Sequence, residues 1–281
     1  MRRLFLVALT LMIIPALAIA EDKKDDYIER MEVEHATDSP IASPAAKVEP
    51  GGEVVSEEVT YAGIDGVDIV GYLARPASGQ AKAGILVIHE WWGLNDNIRS
   101  MARQLAGEGY VALAVDLYEG EVAETREDAG RLARSSRDNP DRGQQNMHQA
   151  WQFLKQEQGV EKVGVIGWCF GGGWSLQTAL MLGEGIDGAV IYYGRVITDR
   201  DALEALSSPL LGIFGAEDGG IPVVTVREFQ TTLDLLGKTA SIHIYEGADH
   251  AFANPSGTRY NEEAAKDAWS KTLTFFGQTL R

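Results

Sequence analysis

Cysteine is nearly absent from this chain: Cys169 is the single one in 281 residues. One thiol excludes an internal disulfide framework and any zinc site built from several cysteines. Histidine is scarce too, at five residues, and no two stand at a metal-binding spacing such as H-x-x-x-H. No metal and no cofactor are therefore expected. The glycines after Cys169 are not followed by Lys-Ser or Lys-Thr, which excludes the phosphate-loop pattern. Basic residues are the minority, 25 Lys and Arg against 41 Asp and Glu. An excess of acid leaves no basic face for nucleic acid or anionic lipid, so neither is expected as a partner, and the acidity reads as solubility.

Long apolar runs are missing except at the start. "MRRLFLVALTLMIIPALAIA" carries two arginines, an apolar run to Ala20, and small residues at Ala18 and Ala20. This is the pattern of a cleaved signal peptide over residues 1–20. The run is only about as long as the roughly 20 residues a membrane span needs, and no cysteine lies near the cleavage point for lipid attachment. The expectation is an exported protein, periplasmic, with no stable membrane insertion after cleavage. Residues 21–53 are acidic and rich in Ser, Pro and Ala, and read as a flexible linker; His35 within it is given no role. Residues 54–281 form one domain with no internal repeat, large enough for a full core.

The domain opens with "EEVTYAG" and "VDIVGYLARP" around the turn "IDG", an antiparallel pair. Strands and helices then alternate. The strands are "GILVIHE", "YVALAVDLY", "KVGVIGWC", "GAVIYYG", "PLLGIFGAED" and "ASIHIYEG". Their continuous apolar runs suit strands buried on both faces. Helices are expected over "NDNIRSMARQLAGEGY" with Asn95 or Asp96 as cap, around "TREDAGRLARSS", and over "QQNMHQAWQFLKQE", "GGGWSLQTALML", "VVTVREFQTTLDLLG" and "NEEAAKDAWSKTLTFFGQTL". This order predicts an α/β fold with a mostly parallel central sheet covered by helices on both faces. Its chemistry should gather at the carboxyl ends of the strands.

Three residues stand at such ends. Cys169 lies in Gly167-x-Cys169-x-Gly171, a nucleophile-elbow pattern with Cys for Ser. The glycines let a strained turn pass close to its neighbours, and the following helix N-terminus favours thiolate over thiol. Asp218 follows "PLLGIFGAED" and His250 follows "ASIHIYEGADH", giving the chain order nucleophile, acid, histidine. In this reading His250 moves the proton, and Asp218 fixes its tautomer. Asp249 and Glu217 are the rivals for the acid. In "HEWWGLN", backbone N–H groups of Trp91 and Phe170 are the candidate oxyanion hole. His89 reads as a packed strand-end residue. Glu90 is a carboxylate too costly to bury there without a partner. Trp92, Tyr118 and Phe252 are candidates for an apolar pocket wall.

Taken together, "HEWWGLN", "GWCFGG", "GIFGAEDGGIP" and "GADHAF" resemble the dienelactone hydrolase family of α/β-hydrolases, over about residues 54–281. The resemblance implies Cys169, Asp218 and His250 as the triad and Glu90 as a switch. The resting thiol would be neutral and turned towards Glu90 until substrate redirects it. A neutral resting thiol would also resist oxidation in an exporting compartment. One departure concerns the arginines that hold the lactone carboxylate in this family. Asn254 stands near the place of one, with Arg259 further on, and Arg131, Arg134, Arg137 and Arg142 are the remaining candidates. The expected activity is hydrolysis of a small ester or lactone through a thioacyl-enzyme, by a monomer. A thioesterase-like hydrolase and a non-catalytic envelope ligand-binding protein are the alternatives.

Overall fold

The computed structural model describes residues 27–38, 48–79 and 81–281. Residues 1–20, read above as a signal peptide, lie outside the described residues. Among those described, no helix is long and apolar enough to cross a membrane.

The chain opens with β1 (Val54–Ile64) and β2 (Val67–Pro76), paired antiparallel. Their connection is Asp65-Gly66, with φ of 52° and 79°. A two-residue hairpin needs two left-handed residues in a row, and Asp-Gly supplies them at low cost. The strands β3 (Ala83–Ile88), β4 (Val111–Val115), β5 (Lys162–Trp168), β6 (Gly188–Tyr192), β7 (Leu210–Gly215) and β8 (Ala240–Tyr245) follow. One eight-stranded sheet results, in the order β1-β2-β4-β3-β5-β6-β7-β8. β4 to β8 and β3 are mutually parallel where they pair, and β2 meets β4 antiparallel.

Every residue of β3, β4, β6 and β7 is buried, as their unbroken apolar runs require of strands covered on both sides. Helix α2 (Asp96–Gly107) packs on β2, β3 and β4, and α8 (Glu262–Thr279) on β6 and β7. α4 (Pro140–Gln152), α5 (Phe170–Leu182) and α7 (Val223–Leu235) pack against β1, β5, β6, β7 and β8. Two apolar clusters result, the first including Ile85, Val87, Ile166 and Phe276, the second Leu86, Ile88, Val165 and Phe229. Odd and even strand positions thus feed opposite layers. α3 (Arg126–Asp138) is capped by the Thr125 side chain, and α2 by Asn95, one of the two expected caps. A short α6 (Arg200–Leu203) completes the set.

The chain crosses from β3 to β4 on one side and then returns to place β5 on the other. That reversal opens a crevice above the carboxyl ends of β3 and β5.

One segment departs from the sequence reading. Residues 27–38, part of the stretch read as flexible linker, form helix α1 (Tyr27–Glu34) and a turn ending at Asp38. Ile28, Met31 and His35 stand at i, i+3 and i+7, one helical face, and are 5%, 2% and 1% exposed. Charge density hid this short apolar stripe. The segment docks over the crevice and against α3.

Candidate active site

Cys169 caps α5 directly after β5, with φ 53° and ψ −116°. A non-glycine residue rarely holds such angles, and the surroundings enforce them. Its N–H donates to Tyr192 O at 2.9 Å, and its carbonyl accepts from Gly172 N–H and Gly173 N–H. The flanking glycines are obligatory. A Cβ on Gly167 would lie 2.0 Å from Gly171 O, and one on Gly171 would lie 2.5 Å from the carbonyls of Ile88 and His89. The turn lifts Sγ above the sheet beside the first turn of α5. The N–H groups of Trp91 and Phe170 have no hydrogen-bond partner among the described residues.

The loops after β7 and β8 bring two more groups to the same place. His250 Nδ1 donates to Asp218 Oδ2 at 2.8 Å, with both side chains fully buried. The other oxygen of Asp218 accepts from the N–H groups of Gly220 and Ile221, each at 2.8 Å. With both oxygens engaged the carboxylate cannot rotate. Of the rival acids, Glu217 is exposed and Asp249 accepts from the His250 N–H instead. His250 Nε2 lies within 4.8 Å of Sγ, buried and without a hydrogen-bond partner among the described residues.

The third side of Cys169 is occupied by a residue the sequence reading passed over. His35 Nε2 meets Sγ at 3.7 Å. Its ring stacks on Trp91, with centroids 4.6 Å apart, and stands edge-on to His250 at 5.1 Å. Its Nδ1 donates to Asp38 Oδ2 at 2.7 Å. Asp38 is held in turn by the hydroxyl of Thr258 and by Arg259 Nη2, both at 2.7 Å. Arg259 also donates to the carbonyl and carboxylate of Glu34. Gly219 and Gly220 admit the helix: a Cβ on Gly220 would lie 1.8 Å from Met31 Cε. The usable signal was the spacing of Ile28, Met31 and His35, two turns long and flanked by acids.

Charge follows from this enclosure. Burial alone would push the Cys169 thiol up, but the imidazoles of His250 and His35 outweigh it and bring it down to about 6. Burial opposes charge on His250, yet Asp218 and Cys169 hold that imidazole well above its ordinary value. For His35, burial again opposes, and Asp38 and Cys169 raise it. The arrangement therefore favours a thiolate facing imidazolium.

Glu90 sits at the end of β3, 4% exposed. Asn254 Nδ2 donates to its Oε2 at 2.6 Å, while Oε1 is buried with no partner among the described residues. Burial, and then the charge of Cys169, push its carboxyl up to about 7. The expectation of a neutral thiol turned towards Glu90 meets a different arrangement, because Sγ bonds His35 and its pKa is lowered. His89 is packed between the Glu90 carbonyl and the Leu117 N–H, and burial lowers its pKa.

The three aromatics expected as a pocket wall pack on other rings, and a cavity opens nearby. This small open-mouthed cavity is bordered by Glu90, Met101, Trp168, Tyr193, Ala253 and Asn254, among others. Trp92 packs on Trp91 and His35, Tyr118 on His89 and Phe170, and Phe252 on Tyr193 and Tyr245. Those three rings are buried, and none borders the cavity. The candidate arginines are likewise committed elsewhere. Arg131 pairs with Glu121, Arg134 with Glu32, Arg137 with Asp138, Arg142 with Glu119 and Asp65, and Arg259 with Glu34 and Asp38.

A parallel-centred sheet of this order, with a strained residue after β5 and an Asp–His pair from the loops after β7 and β8, defines an α/β-hydrolase. Residues 69–280 match the dienelactone hydrolase family, and the chain belongs to it. It is thus an enzyme, an ester or lactone hydrolase of the dienelactone hydrolase type. A protein from Saccharolobus solfataricus, provisionally named a carboxymethylenebutenolidase, is 32% identical over 254 residues, covering 75% of this chain and 94% of its own. Among solved structures, a provisionally assigned dienelactone hydrolase from Klebsiella pneumoniae superposes with TM-score 0.72 at 27% identity, over 81% of this chain and all of its own. A dienelactone hydrolase-like promiscuous phosphotriesterase from metagenomic libraries shares the fold, with TM-score 0.74 at 21% identity, over 82% of this chain and all of its own.

Proposed function

We propose that the protein hydrolyses small esters or lactones with Cys169 as nucleophile and His250–Asp218 as its acid–base pair. The single observation behind this reading is the buried contact set at the elbow, where Sγ, His250 and Asp218 converge from three separate strand ends.

In the proposed cycle the thiolate attacks the ester carbonyl carbon. The oxyanion that forms is held by the N–H groups of Trp91 and Phe170. Collapse breaks the acyl carbon–oxygen bond, and His250 gives its proton to the departing alkoxide. The acyl group is now a thioester on Cys169. His250, neutral again, takes a proton from water, whose oxygen attacks the thioester. The acid leaves and the thiolate–imidazolium pair is restored. For a lactone the alkoxide stays attached to the acyl group, and one hydroxy acid is released.

The preferred substrate in this reading is uncharged. The cavity walls are mainly apolar, its acid Glu90 repels a carboxylate when ionised, and the nearby Arg259 is consumed by Glu34 and Asp38. Carboxylated lactones would lack an arginine to hold them. The alternative of thioester substrates uses the same groups and is decided by the substrate panel. Export to the periplasm remains part of the proposal and rests on the leader-like pattern of residues 1–20.

The test is turnover of a neutral aryl ester panel, a small acyl thioester and a carboxylated dienelactone, by wild type and by Cys169→Ala in parallel. The reading requires turnover of neutral esters that the variant lacks. Equal turnover by the variant would overturn the thiol mechanism, and preference for the dienelactone would overturn the substrate class.

A further inference from the structure

Two imidazoles reach Cys169, and each is oriented in the same way. His35 Nε2, Cys169 Sγ and His250 Nε2 lie within 4.8 Å of one another, and all three residues are buried. In both histidines the opposite nitrogen, Nδ1, is tied to a carboxylate: Asp38 at 2.7 Å and Asp218 at 2.8 Å. A carboxylate behind a histidine is how proteins commonly fix the ring of a metal ligand. His250 Nε2 is fully buried, has no hydrogen-bond partner among the described residues, and belongs to this cluster. A histidine of catalytic type needs one such partner. A second Asp–His pair closing on the same sulfur exceeds what hydrolysis requires.

We propose that His35 Nε2, Cys169 Sγ and His250 Nε2 form a binding site for one thiophilic divalent cation of the zinc type, with Asp38 and Asp218 as the carboxylates behind the ligands. Zinc bonds of about 2.3 Å to sulfur and about 2.0–2.1 Å to nitrogen place tetrahedral ligand atoms roughly 3.3–3.6 Å apart. The His35–Cys169 separation of 3.7 Å is already close to that, and side-chain adjustment of about an ångström brings in the third atom. The donor set, one thiolate and two imidazoles, is the borderline-soft set that zinc takes, with a fourth position open to water. The ligands come from positions 35, 169 and 250, which is why no local spacing in the sequence marks them.

Binding would consume the sulfur and the His250 lone pair that hydrolysis needs, and would fasten residues 27–38 over the site. The cation therefore acts as an off-switch and as a cap on the lone thiol. This consequence rests on the thiol-hydrolase reading; the site itself does not.

Cobalt(II) titration of the purified full-length chain tests it, because tetrahedral cobalt absorbs visible light and a thiolate ligand adds a near-ultraviolet charge-transfer band. Expected are one cobalt per chain with that band, displacement by zinc, and loss of the band in Cys169→Ser. Zinc affinity, measured by competition with a chromophoric chelator, should fall at least tenfold in His35→Ala and in the size-conserving Asp38→Asn. No thiolate band in wild type, or wild-type zinc affinity in both variants, overturns the proposal. Hydrolysis is measured separately on chelator-treated protein. A cobalt–thiolate site without hydrolysis would sink the catalytic reading and leave the metal site standing, and hydrolysis without the band would do the reverse.

Discussion

The Asp218–His250 pair and the Asp38–His35 pair present the same two groups to one sulfur, yet they are held by different means. Asp218 is pinned by backbone N–H groups of its own loop, and Gly215 lies so close to the next loop that a Cβ there would fall 2.4 Å from Ala248 O. That pair is part of the sheet's rigid end. Asp38 is held by the Thr258 side chain and its backbone N–H and by Arg259, and His35 by stacking on Trp91. Its segment has its buried apolar anchors in Ile28 and Met31. Backbone anchoring suits a group that must hold one geometry through a reaction, whereas side-chain anchoring suits a cover that can be displaced.

The comparison breaks most decisively at the shared sulfur. Cys169→Ala should lower kcat/KM on a neutral aryl ester by about 10⁴-fold or more, since neither pair has a nucleophile left to serve. Removing the rigid pair should come next: His250→Ala and Asp218→Asn are each expected to cost roughly 10²–10⁴-fold in kcat. His35→Ala should cost less than about tenfold at pH 8, and a loss equal to that of His250→Ala would erase the distinction between the pairs. The same variant removes one of the two imidazoles that lower the thiol. The acid limb of kcat/KM, expected near pH 6 in wild type, should therefore move upward, as read from the pH–rate profile. A merely structural role for His35 would leave that limb in place.

Glu90 offers a test on stability rather than on rate. Its carboxyl is raised from 4.5 to about 7 by burial, so the folded state holds the proton more tightly than the unfolded chain. The stability it contributes is complete below about pH 4.5 and is lost as pH rises through about 7, with an upper limit of about 3 kcal/mol. Cys169 works in the opposite direction: its pKa is lowered to about 6, so its contribution is present above about pH 9 and is lost as pH falls through about 6. In Glu90→Gln the Glu90 decline should vanish, so the stability of the variant relative to wild type, taken as a difference, should grow between pH 5 and 7.5 in urea unfolding. A constant difference across that range would contradict the assignment.

The rigid pair was legible in the sequence because its residues follow long apolar strands. "PLLGIFGAED" and "ASIHIYEGADH" announce their own carboxyl ends, and the strand-end rule does the rest. The elbow was legible for a steric reason, since Gly167 and Gly171 are demanded by backbone contacts of 2.0 and 2.5 Å. The Asp38–His35 pair was not legible, because α1 is eight residues long, carries three glutamates, and gains its structure only from the surface it docks on. The ring contacts of three aromatics were hidden for a related reason. Trp92, Tyr118 and Phe252 lie near strand ends in sequence, but their rings pack against other aromatic rings, and a cavity opens beside Met101, Trp168 and Tyr193.

The most direct test of the central claim is to trap the acyl-enzyme. Chelator-treated protein would be quenched in acid during turnover of a neutral aryl ester and mapped by peptide mass spectrometry. The account predicts one acyl group on the peptide containing Cys169, discharged when the quench is delayed until substrate is exhausted. An acyl group on any other residue, or steady turnover in the Cys169→Ala variant, would contradict it.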